Sequence, residues 1–234
     1  MLRNELMNRS PLRILEKSMH GGGLGKGNIA VIAAPKGMGK TACLVHLATD
    51  HLLLGRHVIH VSFSADTRHI ISWYEDIFDE IARRYHLDGT KDVHEDIIKN
   101  RVILNFRQDG VSAGQVQRSV RSMIRDAGFN AEAVFVDGYD FARCGVEEFG
   151  SFKRFAEEAA LEIWFSASVP HAAAEPVPDF LERHLGRIAV FIALEQCGNY
   201  IHLKLVKDHE KTPVHDLHLK LDPQNLLIAE EAGA

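Results

Sequence analysis

The stretch Asn28-Ile-Ala-Val-Ile-Ala-Ala-Pro-Lys-Gly-Met-Gly-Lys-Thr-Ala-Cys-Leu44 decides how the rest of the chain can fold. Its apolar run from Ile29 to Ala34 is typical of a parallel strand that is buried on both faces. A loop with Gly37 and Gly39 follows, and Lys40 then opens a segment with the apolar periodicity of a helix. A strand, a glycine loop and a helix in this order predict a phosphate-binding P-loop.

The residue types in this loop suit the binding of phosphate. Glycines let backbone N–H groups approach an anion without a Cβ in the way, and the helix N-terminus adds a partial positive charge. Lys40 would reach the β- and γ-phosphates, and the Thr41 hydroxyl would bind Mg²⁺. The usual pattern, G-x-x-x-x-G-K-[ST], begins here with Ala34 in place of glycine. The predicted nucleotide-binding residues are Ala34, Pro35, Lys36, Gly37, Met38, Gly39, Lys40, Thr41 and Ala42.

The composition is that of an ordinary globular protein, with 46% hydrophobic and 25% charged residues in a chain of 234. A net charge of −5 and a pI near 6.3 give no support for a generally basic nucleic-acid binder, although they leave room for a local basic channel. The three cysteines are scattered, which argues against a disulfide framework and favours a reducing cytosol. No apolar run reaches the roughly 18 residues of a membrane span, so we expect a cytoplasmic protein without a membrane partner.

Outside the P-loop, strand-like runs alternate with helical patterns and no linker divides the chain. Strands are predicted at 57–63, 102–106, 133–136 and 162–168, followed by a strand-rich tail over 188–221. We predict a single α/β domain over residues 1–234, with a short helix at about 11–19 and a core at about 28–222. Its sheet should be mostly parallel, twisted, flanked by helices and extended by antiparallel C-terminal strands. One predicted helix carries an apolar face that we assign to the core, with Ile70, Trp73, Ile77, Phe78 and Ile81.

A second motif is expected on a strand that neighbours the strand of the P-loop. The run Val134-Phe135-Val136-Asp137 is an apolar strand that ends in aspartate. An aspartate in this place holds Mg²⁺ through water, so Thr41 and Asp137 are the predicted metal residues. A helix N-cap is the alternative role for Asp137, and Asp140 is the reserve candidate for the metal.

These motifs, taken in their order, resemble those of the RecA-like P-loop NTPase superfamily, and most closely its DnaB-type helicase and KaiC-type branches. The segment GGLGKG at 22–27 looks like the "GGGLPKG" opening of KaiC-type domains, and AAPKGMGKTA at 33–42 is similar to the DnaB-type loop "AARPSMGKTA". Val206-Lys207-Asp208-His209 stands where the family has its K-x-R segment. The resemblance implies a RecA-type core that binds ATP with Mg²⁺ and assembles into homo-oligomeric rings or filaments with sites between subunits.

The chain departs from this family at its catalytic positions. Where family ATPases keep a water-orienting glutamate, this sequence has Ser64 and Ala65, and Asp66 is the nearest acid. Ser168 stands at the end of the fifth strand, where relatives often carry Gln or Asn to sense the γ-phosphate. His209 replaces the arginine finger, and histidine lacks the guanidinium fork and is only partly charged near neutral pH. Two catalytic candidates remain: Asp66, and Lys207 acting in trans.

These departures predict nucleotide binding without fast turnover. We expect a protein that binds ATP or ADP with Mg²⁺, hydrolyses ATP slowly or not at all, and acts through nucleotide-dependent assembly or conformation. The alternative is an active oligomeric RecA-like ATPase working on nucleic acid, in which Asp66 is the catalytic carboxylate. A second alternative is a small-molecule kinase, against which the strand-rich tail and the lack of an arginine-rich lid both count.

Nucleic acid is the less favoured partner. Binding loops in the family follow the fourth and fifth strands, which here are the segments 138–145 and 170–179. The two segments contain Arg143 but no lysine. Loops that bind nucleic acid usually carry more positive charge, because phosphate contacts dominate the affinity.

Overall fold

The computed structural model of the chain describes residues 11–64, 66–84, 90–107, 110–170, 177–211, 215–224 and 227–230. Its helices are α1 (Pro11–Ser18), α2 (Lys40–Leu53), α3 (Thr67–Arg84), α4 (Lys91–Lys99), α5 (Ala113–Arg125), α6 (Val146–Ala159) and α7 (Asp179–Glu182). Its strands are β1 (Ile29–Ala34), β2 (His57–Ser62), β3 (Arg101–Asn105), β4 (Ala131–Asp137), β5 (Glu162–Ser168), β6 (Val190–Cys197), β7 (Tyr200–Asp208), β8 (His215–Leu221) and β9 (Ile228–Glu230).

These strands form a single sheet in the order β3-β2-β4-β5-β1-β6-β7-β8-β9. All pairs from β3 to β6 are parallel, and the pairs from β6 to β9 are antiparallel. The strand of the P-loop, β1, lies in the middle, with Ala30 beside Trp164 on one side and Val190 on the other. The predicted α/β class, with a mostly parallel sheet and an antiparallel C-terminal extension, is confirmed.

Helices pack on both faces of the parallel part of the sheet. One apolar cluster contains Leu44 and Leu47 of α2 with Ile77 of α3, and the other contains Val116 of α5 and Phe152 of α6. Because both faces are covered, every residue of β1 is buried. This is the physical reason for the continuous apolar run that the sequence shows at 29–34.

The element bounds depart only slightly from those predicted. The predicted strand at 102–106 is found at 101–105, and the N-terminal helix ends at Ser18. Strand β9 was not predicted, because three residues are too short for a periodic signal. Trp73, assigned from its spacing to the core, is only half-buried, whereas Ile70, Ile77, Phe78 and Ile81 are buried. Within the described residues, no helix is both long and apolar enough to cross a membrane.

Candidate nucleotide-binding site

The P-loop connects the carboxyl end of β1 to the first turn of α2. Gly37 and Gly39 have φ angles of +86° and +78°, which residues other than glycine rarely adopt. A Cβ on Gly37 would meet open space, whereas one on Gly39 would collide with the Leu221 side chain. Glycine is therefore required at 39 both by the backbone conformation and by the close approach of β8.

Lys40 is held over the loop by backbone oxygens. Its Nζ donates hydrogen bonds to the carbonyls of Ala34, at 2.9 Å, and Pro35, at 2.8 Å. Burial lowers the pKa of Lys40, and the nearby Asp137 carboxylate opposes that shift. The ammonium group is thus kept close to the place where the P-loop would hold phosphate oxygens.

The two predicted metal residues are in direct contact. Thr41 Oγ1 donates a 2.9 Å hydrogen bond to Asp137 Oδ2, although the residues are far apart in sequence. Oxygen ligands of this kind are those that Mg²⁺ prefers, and Mg²⁺ in such sites completes its shell with water and phosphate. The donor set therefore fits a nucleotide-bound Mg²⁺. The helix that follows β4 has Gly145 as its N-cap, so Asp137 does not cap that helix.

A third residue that the sequence analysis missed holds the same aspartate. Ser166 Oγ donates to Asp137 Oδ1 at 2.6 Å and accepts a hydrogen bond from Gly138 N at 2.9 Å. Both carboxylate oxygens of Asp137 are thus engaged, which sets the orientation of its side chain. The only sequence signal was a buried serine in an otherwise apolar strand, and its register against β4 could not be read from the sequence.

These residues line a cavity of about 350 Å³ at the carboxyl edge of the sheet. Besides P-loop residues and Asp137, its lining includes Ser168, so the residue at the predicted γ-phosphate position does face the site. Its remaining described lining residues are Trp73, Gly138, Ser166, Ile201, Leu221 and Pro223. Asp140 lines a different cavity and accepts hydrogen bonds from the backbone N–H groups of Ala142 and Arg143.

Asp66 lies directly before α3 and accepts hydrogen bonds from the first turn of that helix. Its Oδ1 accepts from Arg68 N at 2.9 Å, and its Oδ2 accepts from Arg68 Nε at 2.7 Å. These hydrogen bonds hold the pKa of Asp66 below its usual range. Asp66 is not among the described residues that line the P-loop cavity. Ser64, which with Ala65 is predicted to stand in place of the water-orienting glutamate, hydrogen-bonds with Ser62 and Asn105.

Lys207 lies at the opposite edge of the sheet from the P-loop. Strand β6 is parallel to β1 and β7 is antiparallel to β6, so β7 ends beside the amino ends of β1 and β6. Lys207 Nζ donates to the carbonyls of Leu185, at 2.5 Å, and Ile188, at 2.6 Å. Only a second copy of the chain could bring this lysine to the P-loop, as its predicted role in trans requires.

The segment after β4 is tied down within the chain. Arg183 Nη2 donates to the carbonyls of Phe141, at 3.2 Å, and Ala142, at 3.1 Å. Tyr139 and Phe141 are buried, so their rings are not exposed for stacking on bases. Of the other predicted loop, 170–179, residues 171–176 lie outside the described part of the chain.

Comparison with known proteins adds a structural likeness without a sequence match. No family model matches the chain, and no curated protein matches it. Among solved structures, one described as an ATPase domain superposes with a TM-score of 0.70 at 17% sequence identity. The match covers 94% of this chain and 90% of the other. At such low identity the likeness establishes the fold, and the chain therefore has the RecA-like P-loop fold that its sequence motifs resembled.

Proposed function

We propose that this protein binds ATP or ADP together with Mg²⁺ and works through nucleotide-dependent assembly or conformation, with slow or absent hydrolysis. The observation that carries the binding proposal is the Thr41–Asp137 contact at the mouth of a P-loop whose glycines have left-handed backbone angles. Backbone N–H groups of the loop and Lys40 would hold the phosphates, and Thr41 and Asp137 would hold the metal. Mg²⁺, when bound, would neutralise phosphate charge.

The proposal of slow turnover rests on the residues that line the cavity in which the γ-phosphate would lie. Among the described residues that line the cavity, Asp137 is the one carboxylate, and Thr41 and Ser166 engage both of its oxygens. Neither Asp66 nor Lys207 of the same chain lines that cavity. An arginine finger alone is worth about 10³–10⁵ in the rate of hydrolysis, so a site without a finger or a water-orienting carboxylate would hydrolyse bound ATP slowly or not at all.

An active ATPase is the second candidate, because the similar solved structure is described as an ATPase domain. In that case a second copy of the chain would supply the cationic side chain that the absent arginine finger would provide. Lys207 is the residue that we assign to this role in trans. The protein would then be a homo-oligomer with its sites at subunit contacts. Nucleic acid remains a less favoured partner, since the 138–145 segment keeps its aromatic rings buried.

Calorimetric binding and phosphate release, measured on the same protein with Mg²⁺, test both candidates. We expect ATP and ADP to bind the natural protein and Lys40→Ala to weaken binding at least about 100-fold, because it removes the ammonium group that reaches the β- and γ-phosphates. Lys91→Ala, which changes an exposed lysine at the start of α4, is the matched control.

The rate of phosphate release separates the two candidates. Background release that is the same in Asp66→Asn supports the slow or inactive protein. A rate of release per protein molecule that depends on Lys40, rises with protein concentration and falls in Lys207→Ala supports the oligomeric ATPase. Loss of release in Asp66→Asn would make Asp66 the catalytic carboxylate. Failure of the natural protein to bind either nucleotide would overturn the proposed function.

A further inference from the structure

One side of the P-loop cavity is apolar and is built by elements outside the P-loop motif. Helix α3 contributes Trp73, strands β7 and β8 contribute Ile201 and Leu221, and the turn after β8 contributes Pro223. Ile201 and Leu221 are buried, whereas Trp73 is half-buried and Pro223 is exposed. Ile201 and Leu221 therefore form a buried floor, whereas Trp73 and Pro223 keep free apolar surface in the cavity.

The Trp73 ring is held in place from its own helix. Its Nε1–H donates to His69 Nε2 at 3.3 Å, and the two rings meet edge to face with centroids 6.1 Å apart. The ring also packs against the buried cluster on the α2 and α3 side of the sheet. The polar end of the indole is thus satisfied within α3, so the rest of the ring offers only apolar contact.

Leu221 and Pro223 are fixed relative to the P-loop itself. Leu221 packs so closely on Gly39 that a side chain there would collide with it. The turn that contains Pro223 is closed by a 3.1 Å hydrogen bond from Asp222 N to Leu227 O. One residue further, Ile228 N donates to Nδ1 of the buried His46 in α2 at 2.9 Å. Pro223 is therefore set at a defined place relative to the P-loop helix.

We propose that Trp73 and Pro223, above the floor of Ile201 and Leu221, hold the base of the nucleotide by apolar contact with its faces. This inference rests on the proposed function and assigns the part of the ligand that the phosphate motif leaves unassigned. A nucleotide has charged phosphates at one end and a base with flat, apolar faces at the other. The cavity likewise has the P-loop with Lys40 in one part of its lining and apolar side chains in another. Contact with the faces of a base does not read the polar groups on its edge, so ATP and GTP should bind alike.

The test compares ATP, GTP and inorganic triphosphate as probes, each with Mg²⁺, by calorimetry. Triphosphate occupies the P-loop but carries no base, so its affinity reports the phosphate contacts alone. We expect ATP and GTP to bind within about fivefold of each other and at least about tenfold more tightly than triphosphate. Trp73→Ala should weaken both nucleotides about tenfold and leave triphosphate unchanged, whereas Trp73→Phe should retain most of the affinity.

Fluorescence gives an independent readout, because the chain has two tryptophans and Trp164 is 1% exposed. A change in emission on adding ATP should come from Trp73 and disappear in Trp73→Phe. Ile71→Ala is the matched control, since Ile71 is 40% exposed on the same helix and does not line the cavity. Pro223→Ala provides a second variant at an exposed position, should Trp73→Ala disturb folding.

Distinct results separate this inference from the proposed function. Equal affinity of the natural protein for ATP and triphosphate, or ATP affinity unchanged in both Trp73→Ala and Pro223→Ala, would overturn the assignment and leave nucleotide binding intact. A preference of more than about thirtyfold for one purine would also overturn it, because a polar group would then be reading the edge of the base. Failure to bind both ATP and triphosphate would overturn the proposed function and this inference with it.

Discussion

Gly37 and Gly39 stand two residues apart in the P-loop, and their surroundings differ. Both have left-handed φ angles, for which a residue with a Cβ costs about 1–2 kcal/mol. At Gly39 a Cβ would also collide with Leu221, which is fully buried and cannot swing into solvent. Such overpacking adds about 1–3 kcal/mol. We therefore expect Gly39→Ala to lower the free energy of unfolding by about 2–5 kcal/mol, and Gly37→Ala by about 1–2 kcal/mol.

Urea denaturation of the two variants beside the natural protein measures this difference. The pair is its own control, because the substitution and the backbone conformation are the same at both positions. Equal losses in Gly37→Ala and Gly39→Ala would mean that β8 can withdraw from the loop, and the described contact between Leu221 and Gly39 would then be dispensable.

At the scale of single residues, the sequence was informative where a motif restricts both residue type and spacing. The P-loop and Asp137 were predicted from such patterns, and the structure brings Thr41 and Asp137 into hydrogen-bonding contact. Ser166 was missed, because a buried serine inside a strand has no spacing rule that links it to a carboxylate on the next strand. Trp73 was assigned to the core because helical periodicity identifies an apolar face but not whether its edge opens into a cavity.

Strand β9 is the element whose attachment is easiest to test. Its first residue, Ile228, donates its backbone N–H to Nδ1 of His46, which is 3% exposed. We expect His46→Leu to leave this buried N–H without an acceptor and to lower the free energy of unfolding by about 1–3 kcal/mol. The exchange of the Ile228 amide, measured by NMR or mass spectrometry, should accelerate more than that of amides in β6.

A substitution on the neighbouring strand controls for the loss of a histidine as such. His218 is exposed with a φ of +54°, a conformation that asparagine tolerates, so His218→Asn should change neither stability nor exchange at Ile228. Unchanged protection of Ile228 in His46→Leu would show that β8 alone holds β9 in the sheet.

At the scale of elements, strands with long apolar runs were predictable, whereas the elements that pack beside them in space were not. The run at 29–34 identifies β1, because burial on both faces requires apolar residues throughout. Nothing local to β8 indicates that its last residue packs on the P-loop, since this contact depends on the antiparallel turn from β6 through β7. The apolar wall of the cavity is therefore a property of the topology.

The whole molecule buries several histidines in its core, and this sets its response to acid. Burial lowers the pKa of His46 and His51 to about 3 and that of His60 to about 4. Nearby cations add to the effect, namely Arg84 at His46, Arg56 at His51 and Arg101 at His60, while Asp137 opposes it at His60. All three side chains are 3% exposed or less, so they must take up protons mainly in the unfolded chain.

The direction of the pH dependence follows from these shifts. The folded pKa values lie below the ordinary value near 6.5, so the stabilising effect is complete above that pH and is lost as the pH falls. As the pH falls, each histidine then lowers the free energy of unfolding by about 1.4 kcal/mol per pH unit. The three together lower it by about 4 kcal/mol per unit between roughly pH 6.5 and 4. Against a typical total stability of about 5–15 kcal/mol, we expect acid unfolding to begin near pH 5.

Denaturant unfolding at pH values from 7.5 to 5 measures this slope directly. His60 contacts the Tyr74 hydroxyl through Nδ1, at 3.0 Å, and has a buried Nε2 without a hydrogen-bond partner in the described structure. His60→Gln keeps a polar group for Tyr74 but cannot titrate, so it should reduce the slope by about one third, whatever its effect on stability at pH 7.5. A free energy of unfolding that is flat between pH 6.5 and 5 would mean that these histidines are charged inside the folded protein. That result would require the core around β2 to admit water, which its close packing between α3 and the sheet argues against.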